Sequence, residues 1–132
     1  MSDWSARLEE ISALGRYLSN LDVIDIAFLS EHVLEVYVAN NDQQRQQGLA
    51  NLTNIDVAGM LFHFDHPTYI PFTMKDMLFD LEVAWYDDQG HMVHYEKCEA
   101  GRQSPVCSPH PFKYVLEVPS GTLPLSDLRL GG

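Results

Sequence analysis

The sequence predicts a mainly β fold, a β-sandwich or barrel with an N-terminal amphipathic helix and one short internal helix. Three observations lead there. Up to seven segments rich in β-branched and aromatic residues alternate with a period of two, Gly, Asp and Asn turn signals separate them, and helical periodicity is confined to the N-terminus and one polar stretch. Many short strands with few helices are the pattern of sandwiches and barrels.

Trp4, Leu8, Ile11, Leu14 and Leu18 recur at helical spacing, with Ser2 as an N-cap and Asn20 near the stop, so residues 3 to 19 read as a helix. Its apolar face must dock on the domain's own sheet or on a neighbouring subunit. "LDVIDIAFL", "HVLEVYVAN", "GMLFHF", "TYIPFTM", "FDLEVAWY", "HMVHYEK" and "FKYVLEV" give six or seven strands. Asn41 and Gln44 have the spacing of a capping box, and Gly48 is placed to end the short helix "DQQRQQ". "YDDQGH" is a tight turn in which Gly90 can take positive φ. The expected organisation is a helical extension at 1–20 and a single β domain at 21–132.

The 132 residues suffice for one domain that needs no disulfide or metal for stability. A net charge of −11, with the acids scattered along the chain, repels nucleic acid. No apolar run approaches the ~20 residues of a spanning helix, and the start has neither a basic nor an apolar signal region. The expectation is a soluble chain, cytoplasmic or in a virion, without membrane contact or cofactor. Cys98 and Cys107 have eight residues between them, which matches neither a zinc knuckle nor a redox CxxC pair. Bridged, they would close a loop worth about 2–3 kcal/mol in an oxidising compartment; reduced, they are ordinary thiols.

Charges run through the hydrophobic segment "PFTMKDMLFDLEVAWYDDQG". Alternation places Leu81, Val83 and Trp85 on one face of a strand and Glu82, Ala84 and Tyr86 on the other. Lys75 falls on the polar side of its own segment, so it and Glu82 could meet across neighbouring strands. Arg45, Lys75, Asp76 and Glu82 are therefore candidates for a recess that binds a small polar ligand or a partner's loop, against the alternative of a structural ion-pair network. His63, Asp65 and His66, with His91, are candidate divalent-metal ligands if they converge. Trp85, Tyr86, Tyr95 and Tyr114 could form a sugar platform, although Trp85 belongs to the core by alternation. No G-x-S-x-G occurs, and Asp87 and Asp88 sit in a turn where water solvates them, which disfavours nucleophilic and glycosidase chemistry.

"QRQQGL", "GMLF", "FTMKDMLFDLEVAWYDDQG" and "YVLEVPSG" occur in the order and spacing of a known family, and over residues 33 to 122 the chain resembles the domain of unknown function 192, also called uncharacterised protein family 0127. The resemblance implies a jelly-roll-like β-sandwich with a short helix after its first family strand, and no chemistry. It also implies a cysteine pair before the last long strand, which Cys98 and Cys107 are similar to. Arg45, Gly48 and Lys75 match the family pattern, whereas Ala50 replaces Met, Thr73 replaces Trp, Asp76 replaces Asn, Met77 replaces Thr and Glu82 replaces Asp.

These readings converge on a non-catalytic module that acts through binding or assembly, by self-association or with a protein partner, for instance as a virion decoration subunit. The alternatives are a small-ligand or metal-dependent enzyme using Arg45, Lys75 and Glu82, and a carbohydrate-binding module.

Overall fold

The computed structural model describes residues 13–122 and 125–130. Helix α1 occupies described residues 13–19 and leads into β1 (Asp22–Ala27) and β2 (Val33–Ala39). Then follow α2 (Asp42–Gln47), β3 (Gly59–Thr68), β4 (Leu81–Tyr86), β5 (Met92–Cys98) and β6 (Phe112–Pro119). The strands form one mixed sheet in the order β1-β2-β3-β6-β4-β5. Among the described strands the only parallel pair is β2 with β3, where Val36 faces Gly59 and Ala39 faces Phe62.

The mainly β fold is as expected, whereas the sheet is not closed, so the sandwich or barrel is not confirmed. Parallel neighbours need a long crossover, which here carries α2 over one face of the sheet. Helices and loops bury this face instead of a second sheet, and β1 and β5 remain as edges. On the α2 side Tyr37, Met60, Phe62, Phe64, Val83, Trp85, Phe112 and Val115 project from the strands and meet Leu49, Leu52, Met74, Met77 and Val106 from the connections. On the other side Val36, Leu61, Ala84, Tyr86, Leu116 and Val118 form a second cluster with Ile26 and Phe28 from β1 and Leu128 from the C-terminal segment. The C-terminal segment joins the two ends of this face, pairing with the chain after β1 and with the β4–β5 turn, so the sheet curls towards it. The 125–130 segment holds the curl: Phe28 bridges Leu128, Arg129 N donates to the Ala27 carbonyl at 2.8 Å, and Leu128 N donates to the Gly90 carbonyl at 2.8 Å.

The local signals act as their chemistry requires. Asn41 Oδ1 accepts from Gln44 N at 2.9 Å, and Gln44 Oε1 accepts from Asn40 N at 3.1 Å, which completes the box one residue earlier than expected. Gly48 ends α2 at φ 51. In the β4–β5 turn Asp87 Oδ1 accepts from Gln89 N and His91 N, and Gly90 takes φ 85. "TYIPFTM" is not a strand of its own: Thr68 ends β3 opposite Phe112, Pro71 supplies no N–H, and beyond Thr68 the described pairing is a single bridge from Phe72 to Val106. Trp4, Leu8 and Ile11 lie outside the described residues, but Leu14, Tyr17 and Leu18 pack on the α2-side core, so this end of the helix docks on the domain itself. Tyr17 OH donates to the Gly48 carbonyl at 2.8 Å and ties α1 to the open end of α2. No described helix is long and apolar enough to cross a membrane.

Gly59 is where β3 passes closest to β6. A Cβ there would overlap the Glu117 carbonyl oxygen and lie 2.8 Å from Val118 Cγ1. Gly59→Ala must push β3 away from β6, and the expected result in urea unfolding is a loss of about 3 kcal/mol.

Candidate functional site: a cavity above a buried carboxyl

β6 lies between β3 and β4 and contributes Val115 to one core and Leu116 and Val118 to the other, so both of its faces are covered, and its sequence is nearly continuous in apolar residues. The exception is Glu117. It shares the α2-side face with Val115, opposite Met60 on β3 and Val83 on β4, and it is 4% exposed. No described residue donates a hydrogen bond to its carboxyl, and burial alone pushes it up to about 8.

Above it a cavity of about 390 Å³ opens between α2, the end of β3 and the loop that follows. Phe62 and Phe64 from β3, Phe72 from the loop, and Leu49 and Met77 form apolar walls, with Glu117 in the floor. The rings stand edge to face: Phe72 lies 5.2 Å from Phe62 at 90° and 6.3 Å from Phe64 at 82°. Arg45, on the last turn of α2, closes one side. Its guanidinium donates to Asp42 Oδ1 at 2.9 Å and to the His63 carbonyl at 2.7 Å, and stacks 5.2 Å from the Phe64 ring centre.

The four residues expected to share a recess divide between the two sides of the sheet. Arg45 and Asp76 line the cavity. Lys75 is an exposed loop residue that makes no ion pair among the described residues. Glu82 points to the opposite face with Ala84 and Tyr86, and that face is a second core, so the carboxylate is 7% exposed. There it accepts from Tyr95 OH, in a short hydrogen bond, and from Gly121 N at 2.8 Å. Burial, followed by the Glu82 carboxylate, pushes Tyr95 up to about 12. Glu82 thus fastens β5 and the chain after β6 to β4.

His63 stacks on Tyr114 at 5.2 Å on the face away from α2, while Asp65 and His66 are exposed. No group of three His, Cys, Asp or Glu side chains that could hold a metal occurs among the described residues. Cys98 and Cys107 are separate thiols, the first buried and the second exposed. Burial pushes Cys98 up to about 11, the opposite of an activated nucleophile. Trp85 and Tyr86 are fully buried, which leaves no row of aromatics for a sugar. An ion pair that alternation did not indicate joins Arg102 to Glu96 and pins the loop after β5; hydrogen bonding from Arg102 holds Glu96 below the usual carboxylate range.

Glu117 is the residue that reasoning from alternation passed over. The detectable signal was a lone Glu in "FKYVLEV", a run too continuously apolar to have a wet face.

The sequence profile of the domain of unknown function 192, described as "Uncharacterized ACR", matches residues 24–132. No curated protein matches the chain. Two crystal structures resemble it. One, from Sinorhizobium meliloti 1021, has a name that proposes a transcription regulator; it is 26% identical, with a TM-score of 0.67 over 76% of this chain and 81% of that one. The other, a protein of unknown function from Novosphingobium aromaticivorans DSM 12444, is 20% identical, with a TM-score of 0.67 over 76% of this chain and 74% of that one, and shows the shared fold.

Two substitutions separate the roles of the buried acids. In the unfolded chain Glu117 ionises near the ordinary 4.5, whereas in the fold it keeps its proton to about 8. Below the lower value both states are protonated and nothing is lost. Between the two values only the unfolded state ionises, so stability falls as pH rises, and above the upper value the penalty is complete. Glu117→Gln removes that dependence, and at pH 8.5 it should be more stable than the parent by about 2–4 kcal/mol, with the gap closing towards pH 4.5 in paired urea melts. Tyr95→Phe should instead cost about 1–3 kcal/mol, because Glu82 stays buried with one donor fewer.

Proposed function

The chain belongs to the family of the domain of unknown function 192, and we propose that it works in that family as a non-catalytic binding module whose ligand is a small molecule held in the cavity above Glu117. The observation that carries this reading is a carboxyl placed on a central strand, 4% exposed, with no described donor, in the floor of an otherwise apolar cavity. A fold gains nothing in stability from such a group, since a well-packed apolar residue of similar volume would avoid the desolvation. Strain of this kind concentrates where a protein binds or reacts. The cavity's 390 Å³ falls within the range of small-molecule sites, and its mostly apolar walls with few polar groups match their composition.

Binding is favoured over catalysis because the other groups of an active site are not gathered here. Arg45 is occupied by Asp42, a carbonyl and a ring, and no histidine, cysteine or serine is among the described residues that line the cavity. The regulator role in the name of the Sinorhizobium protein is not adopted for nucleic-acid contact, because a net charge of −11 opposes phosphate.

Assembly is the second reading, and one observation favours it. Val23 and Ile24 on edge strand β1 are 46% and 43% exposed, and Leu29 and Val33 at the β1–β2 turn are more exposed still.

The test is a fragment screen followed by two-dimensional NMR. Compounds should move resonances of Phe62, Phe64 and Met77, and Ala50→Trp, which fills the cavity from the residue after Leu49, should abolish those shifts while leaving the rest of the spectrum in place. A screen in which no fragment moves cavity resonances, with light scattering showing a concentration-dependent oligomer, would replace this reading by assembly.

A further inference from the structure

We propose, resting on the binding reading above, that the cavity's ligand is an organic ammonium compound with an aromatic or branched apolar body, its charged nitrogen paired with Glu117.

The argument is one of charge and shape. A buried carboxylate is costly alone, and the partner that offsets most of that cost is a cation that also gives up its water on entering. None of the described residues supplies such a cation. Arg45 is the only basic residue among the described residues that line the cavity, and its donors are directed to Asp42 and the His63 carbonyl while its face lies on Phe64. The other ionisable lining groups, Asp42 and Asp76, are acids, so an anionic ligand would meet three carboxyls and one committed guanidinium. Three phenylalanine rings set at steep mutual angles offer both faces and edges. A ring face attracts an ammonium group, and the edges pack an apolar body. A net charge of −11 raises the concentration of small cations near the whole surface.

Two described groups close to Glu117 are held protonated near neutrality. Tyr17 on α1 and Cys98 on β5 are both pushed up, by burial first and with the Glu117 charge adding to it, and keep their protons there. No histidine lines the cavity, and the ring of His63 lies on the other face of the sheet against Tyr114. Free protein and free amine each carry a proton below pH 8, whereas the ion pair carries one between them, so binding releases a proton in that range.

Three probes of one shape test this: 2-phenylethylamine, 2-phenylethanol and phenylacetate, titrated into the full chain with cavity resonances followed by NMR. The amine should bind at least tenfold more tightly than the alcohol at pH 8, and phenylacetate should not bind. Amine affinity should rise by up to tenfold per pH unit from 6 to 8, while the alcohol shows no such rise. Glu117→Gln, checked for an unchanged fold by its spectrum, should weaken the amine at least tenfold and the alcohol less than threefold. Equal or tighter binding of the alcohol or of phenylacetate, or an amine indifferent to Glu117→Gln, overturns the ammonium inference and leaves the cavity as a binding site. Absence of cavity shifts with these probes and with the fragment screen overturns both.

Discussion

The arrangement of this fold around its cavity depends on keeping the carboxyl of Glu117 out of water. β6 is central, so the residue at this position cannot reach solvent at a sheet edge, and the alternation that sends Leu116 and Val118 into one core sends Glu117 into the other. Everything above it follows from having to cover that face. The β2–β3 crossover lays α2 across the sheet, Gly48 turns the chain down towards Leu49, and Tyr17 ties α1 to the carbonyls at the end of α2. Between α2 and the loop after β3 the cover is incomplete, and there the carboxyl meets a cavity.

The two buried glutamates show how little burial alone says about function. Glu82 is 7% exposed and Glu117 4%. Glu82 accepts from a phenol and a backbone amide, and so joins three parts of the chain. Glu117 has no described donor, and burial makes it a weak acid. The first is a fastener between strands, whereas the second has no described donor and borders the cavity.

Much of the local structure was legible in the sequence because it depends on near neighbours. The capping box at Asn41 and Gln44, the stop at Gly48, the turn at Asp87 to Gly90 and the inward face of Leu81, Val83 and Trp85 all follow from spacing. What pairs with what did not follow, because alternation says which residues share a face and not whether that face is wet. Glu82 was therefore expected on a solvated side and sits in a second core. The same limit hid the parallel β2–β3 pair, although a capped helix between two strands was the available hint of a crossover. Of the expected constellation, Arg45 and Asp76 line one cavity while Lys75 and Glu82 belong elsewhere, since their grouping needed the sheet order.

The central claim is that Glu117 is an uncompensated buried acid, and its side-chain carboxyl can be observed directly. A carbon-13 titration of the ligand-free protein with labelled glutamate should show one carboxyl changing protonation near pH 8, and Glu117→Gln should remove that signal. A Glu117 carboxyl that titrates near the ordinary 4.5 would show it to be solvated or paired, and would contradict the account.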